Sequence, residues 1–162
     1  MLVTREADYA IRCVIEVVRH GRISAAQVAE LQGISPTFLG KIVQSLAKAG
    51  ILATRRGVGG GIALGVPVES LTLLQVIEAV EGPLCLNECL TTPPQCGHIE
   101  TCPAYPFLSQ AQVSLRQVLD VSFAEVMDRM PQPAIMDIAE LPPWLPSGNG
   151  EARRVARAGD AP

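Results

Sequence analysis

Residues 24–64 read SAAQVAELQGISPTFLGKIVQSLAKAGILATRRGVGGGIAL. Ser24 is a helix-capping residue type, and the apolar spacing behind it predicts a short helix over 25–32, closed by Gly33. Ser35-Pro36 is a second start signal, because Ser caps and Pro fits where the first turn needs no backbone donor. The helix it opens runs to Ala49 and stops at Gly50. Two such helices joined by Gly33-Ile34 make a helix-turn-helix. Leu39, Ile42, Val43 and Leu46 share one side of the second helix, and Thr37, Lys41, Gln44, Ser45 and Lys48 share the other. Any solvated helix can show a polar face, so this alone does not identify a groove binder. The following residues do. Residues 51–56 read as a strand, 57–61 as a glycine-rich turn and 62–64 as the return strand. A hairpin directly after a helix-turn-helix is a wing, with Arg55 and Arg56 at its tip and Gly59 and Gly60 allowing backbone to approach phosphate. The expected fold is mainly α, a winged helix-turn-helix with a small β-hairpin.

Upstream, Thr4 caps a helix over 5–19 in which Ala10, Ile11, Val14, Val17 and Val18 recur at helical spacing. Downstream, Thr72 caps a helix over 73–81 that Gly82-Pro83 ends, and a loop over 84–102 follows. A long helix is then expected over 105–130, with a stripe of Leu108, Ala111, Leu115, Val118, Leu119, Val126 and Met130. Such a rod spans roughly 40 Å. One small domain offers little to cover it, so a second copy of the chain is expected to do so. The organisation predicted is a DNA-binding head over 1–66, a connecting helix and cysteine loop over 67–102, a dimerisation helix over 103–130 and a disordered Pro- and Gly-rich tail over 131–162.

Composition narrows the function. No apolar run approaches the ~18 residues of a membrane span, and the charged N-terminus does not read as a signal peptide, so a cytoplasmic protein is expected. The net charge of −3 is unevenly spread. Residues 1–66 hold eight Lys/Arg against four acids, and the remainder holds five against twelve. A basic head on an acidic body suits a partner that carries phosphate. No nucleotide or flavin fingerprint and no nucleophile–base pair stands out, which argues against an enzyme.

Cys85, Cys89, Cys96 and Cys102 fall in one loop broken by Pro93-Pro94 and Gly97. Thiolates are soft ligands for iron–sulfur clusters, zinc or copper(I), and in a reducing cytosol such a group points to metal or redox chemistry. Three readings stand: a cluster, zinc with His98 as a fourth ligand, and metal-free thiols that form a disulfide switch. Cys13, inside the first helix, reads as a small buried hydrophobe.

Taken together, these residues resemble the Rrf family of winged-helix transcription regulators. Leu2-Val3-Thr4 with Tyr9-Ala10-Ile11-Arg12 looks like its first helix, and Ile34-Ser35-Pro36-Thr37-Phe38-Leu39 like the start of its recognition helix. Arg56-Gly57-Val58-Gly59-Gly60-Gly61 is similar to its wing, and Gly82-Pro83-Leu84 with Cys89, Cys96 and Cys102 to its cluster loop. The resemblance covers about residues 1–130. It implies a homodimer on a pseudo-palindromic operator, with a 2Fe–2S or 4Fe–4S cluster on Cys89, Cys96 and Cys102. It implies also that Asp8, from the partner subunit, is the fourth ligand, as an acid is in the nitric-oxide-sensing members. Tyr105 stands where another branch has a histidine ligand. Ile62 replaces a usual aromatic, and Gly40-Lys41 replaces a base-reading Glu-Gln pair. Thr37, Lys41, Gln44, Ser45 and Lys48 are thus the expected groove residues, and Ser24, Ser35, Arg55, Arg56, Gly59 and Gly60 the expected backbone contacts. A regulator gated by a cluster is expected. Its rivals are a metal-free, zinc or thiol-switch repressor and an iron–sulfur electron-transfer protein.

Overall fold

The computed structural model describes residues 4–57 and 59–129. Helix α1 (Arg5–His20) starts where the Thr4 hydroxyl accepts the Glu6 N–H. Strand β1 (Arg22–Ile23), helix α2 (Ala25–Gln32) and helix α3 (Pro36–Lys48) follow. Ser24 and Gln27 cap α2 reciprocally, and Ser35 caps α3 by accepting from Phe38 N–H. Gly33 turns the chain between them in the left-handed region (φ 62°), where a side chain would be strained. Strands β2 (Leu52–Arg55) and β3 (Gly61–Leu64) form the wing, with Leu52 opposite Leu64 and Arg55 opposite Gly61. The sheet has a third member that the hairpin reading did not contain. β1 pairs with β3, giving the antiparallel order β1-β3-β2 and setting Ile23 beside Ile62. Two residues carry too little periodicity to read as a strand, so only the fold supplies that edge.

Helix α4 (Leu73–Glu81) carries the capping box Thr72/Gln75. The long helix expected over 105–130 is two helices. α5 (Tyr105–Leu119) stops, and α6 (Phe123–Asp128) begins under a new cap, Ser122, which accepts from Glu125 N–H. The cause is a tertiary pairing at 120–123. Leu73 N–H donates to Val121 carbonyl at 2.9 Å, Phe123 N–H donates to Leu71 carbonyl at 2.7 Å, and Thr72 bridges to Ser122. Those bonds use backbone groups that a continuous helix would need for itself. Val126 lies in α6, Met130 and the tail expected over 131–162 lie outside the described residues, and α5 alone spans about 22 Å.

One apolar cluster joins α1 (Cys13, Val14, Val17), α3 (Leu39, Ile42, Leu46), the sheet (Leu52, Ile62) and the segment reached by Leu71, Val76 and Phe123. A second, of Ala7, Leu74, Ile77 and Leu84, receives Leu115 and Leu119 from α5. Glu16 is buried at 4% exposure, and it is compensated there. It accepts from Gln32 at 2.7 Å and Arg19 at 3.1 Å and lies 3.3 Å from His20, tying α1 to α2.

Candidate nucleic-acid interface and cysteine loop

The polar side of α3 is open. Thr37, Lys41, Gln44 and Lys48 are exposed, Ser45 is half-buried, and Leu39, Ile42, Val43 and Leu46 face inward. The wing leaves α3 at a fixed angle because Ile51 N–H donates to Leu46 carbonyl (2.9 Å) and Gly65 N–H donates to Ile51 carbonyl (2.8 Å). Arg55 ends β2 and Arg56 enters the turn, both exposed. Gly59 has φ 72°, and a Cβ on Gly60 would lie 2.3 Å from Arg55 carbonyl, so the turn closes on glycine backbone alone. Val58 in that turn lies outside the described residues. Ser24 and Ser35 are engaged as caps. The Ser24 hydroxyl also donates to Gln27 Oε1 at 2.8 Å, so what these serines bring to a phosphate is the aligned start of a helix.

Sequence reasoning missed an aromatic link between α1 and α3. Tyr9 meets Phe38 edge-on, centroids 5.8 Å apart, and Arg12 lies 5.9 Å over the Tyr9 ring. Arg12 is also held by Asp8, at 3.2 and 3.0 Å, with both side chains nearly half exposed. Asp8, Arg12, Tyr9 and Phe38 thus form one chain of contacts ending in the first turn of α3. The signal was one aromatic near the start of each of two helices, which means nothing until their crossing is known.

In the loop, Cys89 is buried within a 3₁₀ turn (Glu88–Leu90), and Cys96 and Cys102 are half-buried, Cys102 closing a second turn (Ile99–Thr101). Gln95 N–H donates to Glu88 carbonyl at 3.0 Å, so the residues preceding Cys96 and Cys89 are laced together. Cys85 donates to Leu90 carbonyl at 3.5 Å. All five cysteines are free thiols, and no three Cys, His, Asp or Glu side chains gather as a metal-binding group among the described residues. Cys89, Cys96 and Cys102, with His98 exposed in the same loop, are the soft donor types a cluster takes, and they share a loop without sharing a centre. Cys13 is fully buried, and burial pushes its thiol up to about 12, with Glu16 acting in the same direction. It is a core residue, as its helical position implies.

No helix among the described residues is long and apolar enough to cross a membrane. The family described as "Rrf2: Iron-dependent Transcriptional regulator" matches residues 3–129. Protein aau3 of Rhizobium meliloti (strain 1021) is 31% identical over 125 residues, 76% of this chain and 77% of that protein. The HTH-type transcriptional regulator IscR of Aliivibrio salmonicida is 34% identical over 92 residues, 55% of each, so the match spans about half the length of that relative. Among solved structures, CymR of B. subtilis, the global cysteine regulator, overlays with a TM-score of 0.64 at 22% identity, over 78% of this chain and 95% of that one. T. potens IscR overlays at 0.61 and 22% identity, over 80% and 92%. The fold shared with both is the winged helix described above.

Proposed function

This chain belongs to the Rrf2 family of DNA-binding transcriptional regulators, not to an enzyme family, and from that premise we propose that it is a cytoplasmic homodimer whose grip on a pseudo-palindromic operator is set by its cysteine loop. The observation that carries the DNA reading is the exposed polar side of α3, Thr37, Lys41, Gln44 and Lys48, followed directly by Arg55 and Arg56 on the wing. α3, with Ser45 at the margin of its open face, enters the major groove. The wing arginines, the Gly59-Gly60 backbone and the helix starts at Ser24 and Ser35 hold phosphates. A two-fold pair of heads then spaces its half-sites about one helical turn apart.

The control proposed is an iron–sulfur cluster, 2Fe–2S or 4Fe–4S, on Cys89, Cys96 and Cys102, with Asp8 of the partner subunit. Three soft ligands in one loop and the likeness to IscR support it. A second reading has its own observation. Four free thiols, Cys85, Cys89, Cys96 and Cys102, share one loop, and a reversible disulfide between two of them would need no metal. Anaerobic isolation followed by iron, zinc and sulfide analysis, with operator binding by fluorescence anisotropy, separates them. Bound iron and sulfide that Cys96→Ala removes, with a change in affinity, uphold the cluster. Metal-free protein whose affinity follows reversible thiol oxidation upholds the switch. Absence of salt-sensitive binding to any palindromic duplex in every state overturns the regulator itself.

A further inference from the structure

A cleft of ≈ 750 Å³ opens between α4, the start of the cysteine loop and α5, with Glu78, Cys85, Thr92, Gln95, Gln112 and Arg116 in its lining. Small-molecule sites run to about 300–1,000 Å³. None of the lining residues belongs to α3 or the wing. Its floor is a fixed polar network. Gln112, buried, accepts from Leu86 N–H at 2.9 Å and donates to Leu84 carbonyl. Glu78 Oε1 accepts from Leu84 N–H at 3.0 Å and from Arg116 at 2.5 Å.

Both bonds fall on the same oxygen. Glu78 Oε2 has no partner among the described residues, and the side chain is 25% exposed. Arg116 commits one nitrogen to Glu78, keeps 41% of its side chain exposed, and so retains open N–H donors. The cleft is therefore lined side by side by a carboxylate with one oxygen unengaged among the described residues and by a guanidinium with open donors. A simple anion drawn to Arg116 meets Glu78, and a simple cation drawn to Glu78 meets Arg116, so either one carries a nearby like charge. A molecule with both charges on one short frame satisfies both groups.

We infer that this cleft binds a small zwitterion of the α-amino acid class, its carboxylate on Arg116 and its ammonium on Glu78. Thr92, Gln95 and Cys85 line the space left for its side chain. Glu78 and Gln112 also hold Leu84 and Leu86, so occupancy is felt where the cysteine loop begins.

The test is isothermal titration calorimetry of the full chain with each standard L-amino acid, then with the amide and N-acetyl derivatives of any that bind. Saturable binding of at least one, at one per chain, is expected. Removing either charge should weaken it by about tenfold or more, the usual worth of a charge-assisted hydrogen bond. Arg116→Gln should abolish binding and Arg116→Lys should restore part of it. Gln95→Trp, which fills the cleft and leaves the Glu78–Arg116 pair intact, should block it. Lack of saturable heat for every amino acid overturns the inference, as does an amide or N-acetyl form that binds equally well, or wild-type affinity in Gln95→Trp. No DNA is present in this titration, so its outcome is separate from that of the operator assay.

Discussion

Lys41 and Cys13 show how differently two residues of one head are used. Lys41 is exposed on α3, and Arg55 is exposed at the end of β2. If both meet phosphate or base edges, Lys41→Ala and Arg55→Ala should each weaken operator binding. Each lost phosphate contact should also lower the slope of log affinity against log salt by about 1, as read by anisotropy across a salt series. A residue that merely solvates the helix would leave the slope unchanged. Cys13 is the opposite case. Its thiol ionises near 9.0 when free and is pushed up to about 12 in the fold. Between these values the unfolded chain releases a proton that the folded chain keeps. The unfolded state then binds fewer protons, and stability falls as pH rises through that window, by up to about 1.4 kcal/mol per pH unit. Urea melts from neutral pH to above pH 9 should show this decline, and Cys13→Ala should flatten it. An unchanged alkaline limb in Cys13→Ala would place the decline elsewhere.

Among the elements, α6 is the one whose role changed most between sequence and structure. Phe123 opens it, is fully buried, and sits in the same cluster as Val14, Leu39 and Leu46. A helix continuing from α5 could not carry that ring there, because the turn at 120–122 is what delivers it. Phe123→Ala should therefore cost about 3–5 kcal/mol in denaturant unfolding, the range for an aromatic removed from a packed core. A cost below about 1 kcal/mol would mean that α6 is a surface appendage. The caps belong to the same scale. Ser24, Ser35, Thr72 and Ser122 each accept a first-turn N–H, and together they fix where four helices begin.

For the whole molecule, the notable surface is on α5. Phe107, Ala111, Ser114 and Val118 recur at positions i, i+4, i+7 and i+11 and share one side of the helix. All four are exposed, Phe107 at 74% and Val118 at 73%. Leu115 and Leu119 instead pack inward against the cluster of Leu74, Ile77 and Leu84. Of the apolar stripe read from the sequence, Leu115 and Leu119 thus serve the chain's own core, and Ala111 and Val118 stay exposed on the face proposed to meet a second copy. Across a two-fold axis, Val118→Glu sets like charges against each other, or against their images. It should weaken self-association by about tenfold or more in sedimentation velocity, and operator affinity with it. Undiminished dimer in both Val118→Glu and Phe107→Glu would move the interface to another face.

Local chemistry sufficed for much of this. Caps, glycine stops and apolar spacing act within a few residues, so α1 to α4, the wing strands and the open face of α3 were legible from the order of side chains alone. The family resemblance was legible for the same reason, since its motifs are the local signals of those elements. Three things were not. β1 exists only because Ile23 finds Ile62 across the sheet. α5 ends only because Leu71 and Leu73 take the backbone at 121–123. Glu78 and Arg116, 38 residues apart, form a cleft wall only when α4 and α5 lie together. Each is a pairing between groups distant along the chain. Its strength depends on a separation that no local pattern encodes, so packing had to decide it.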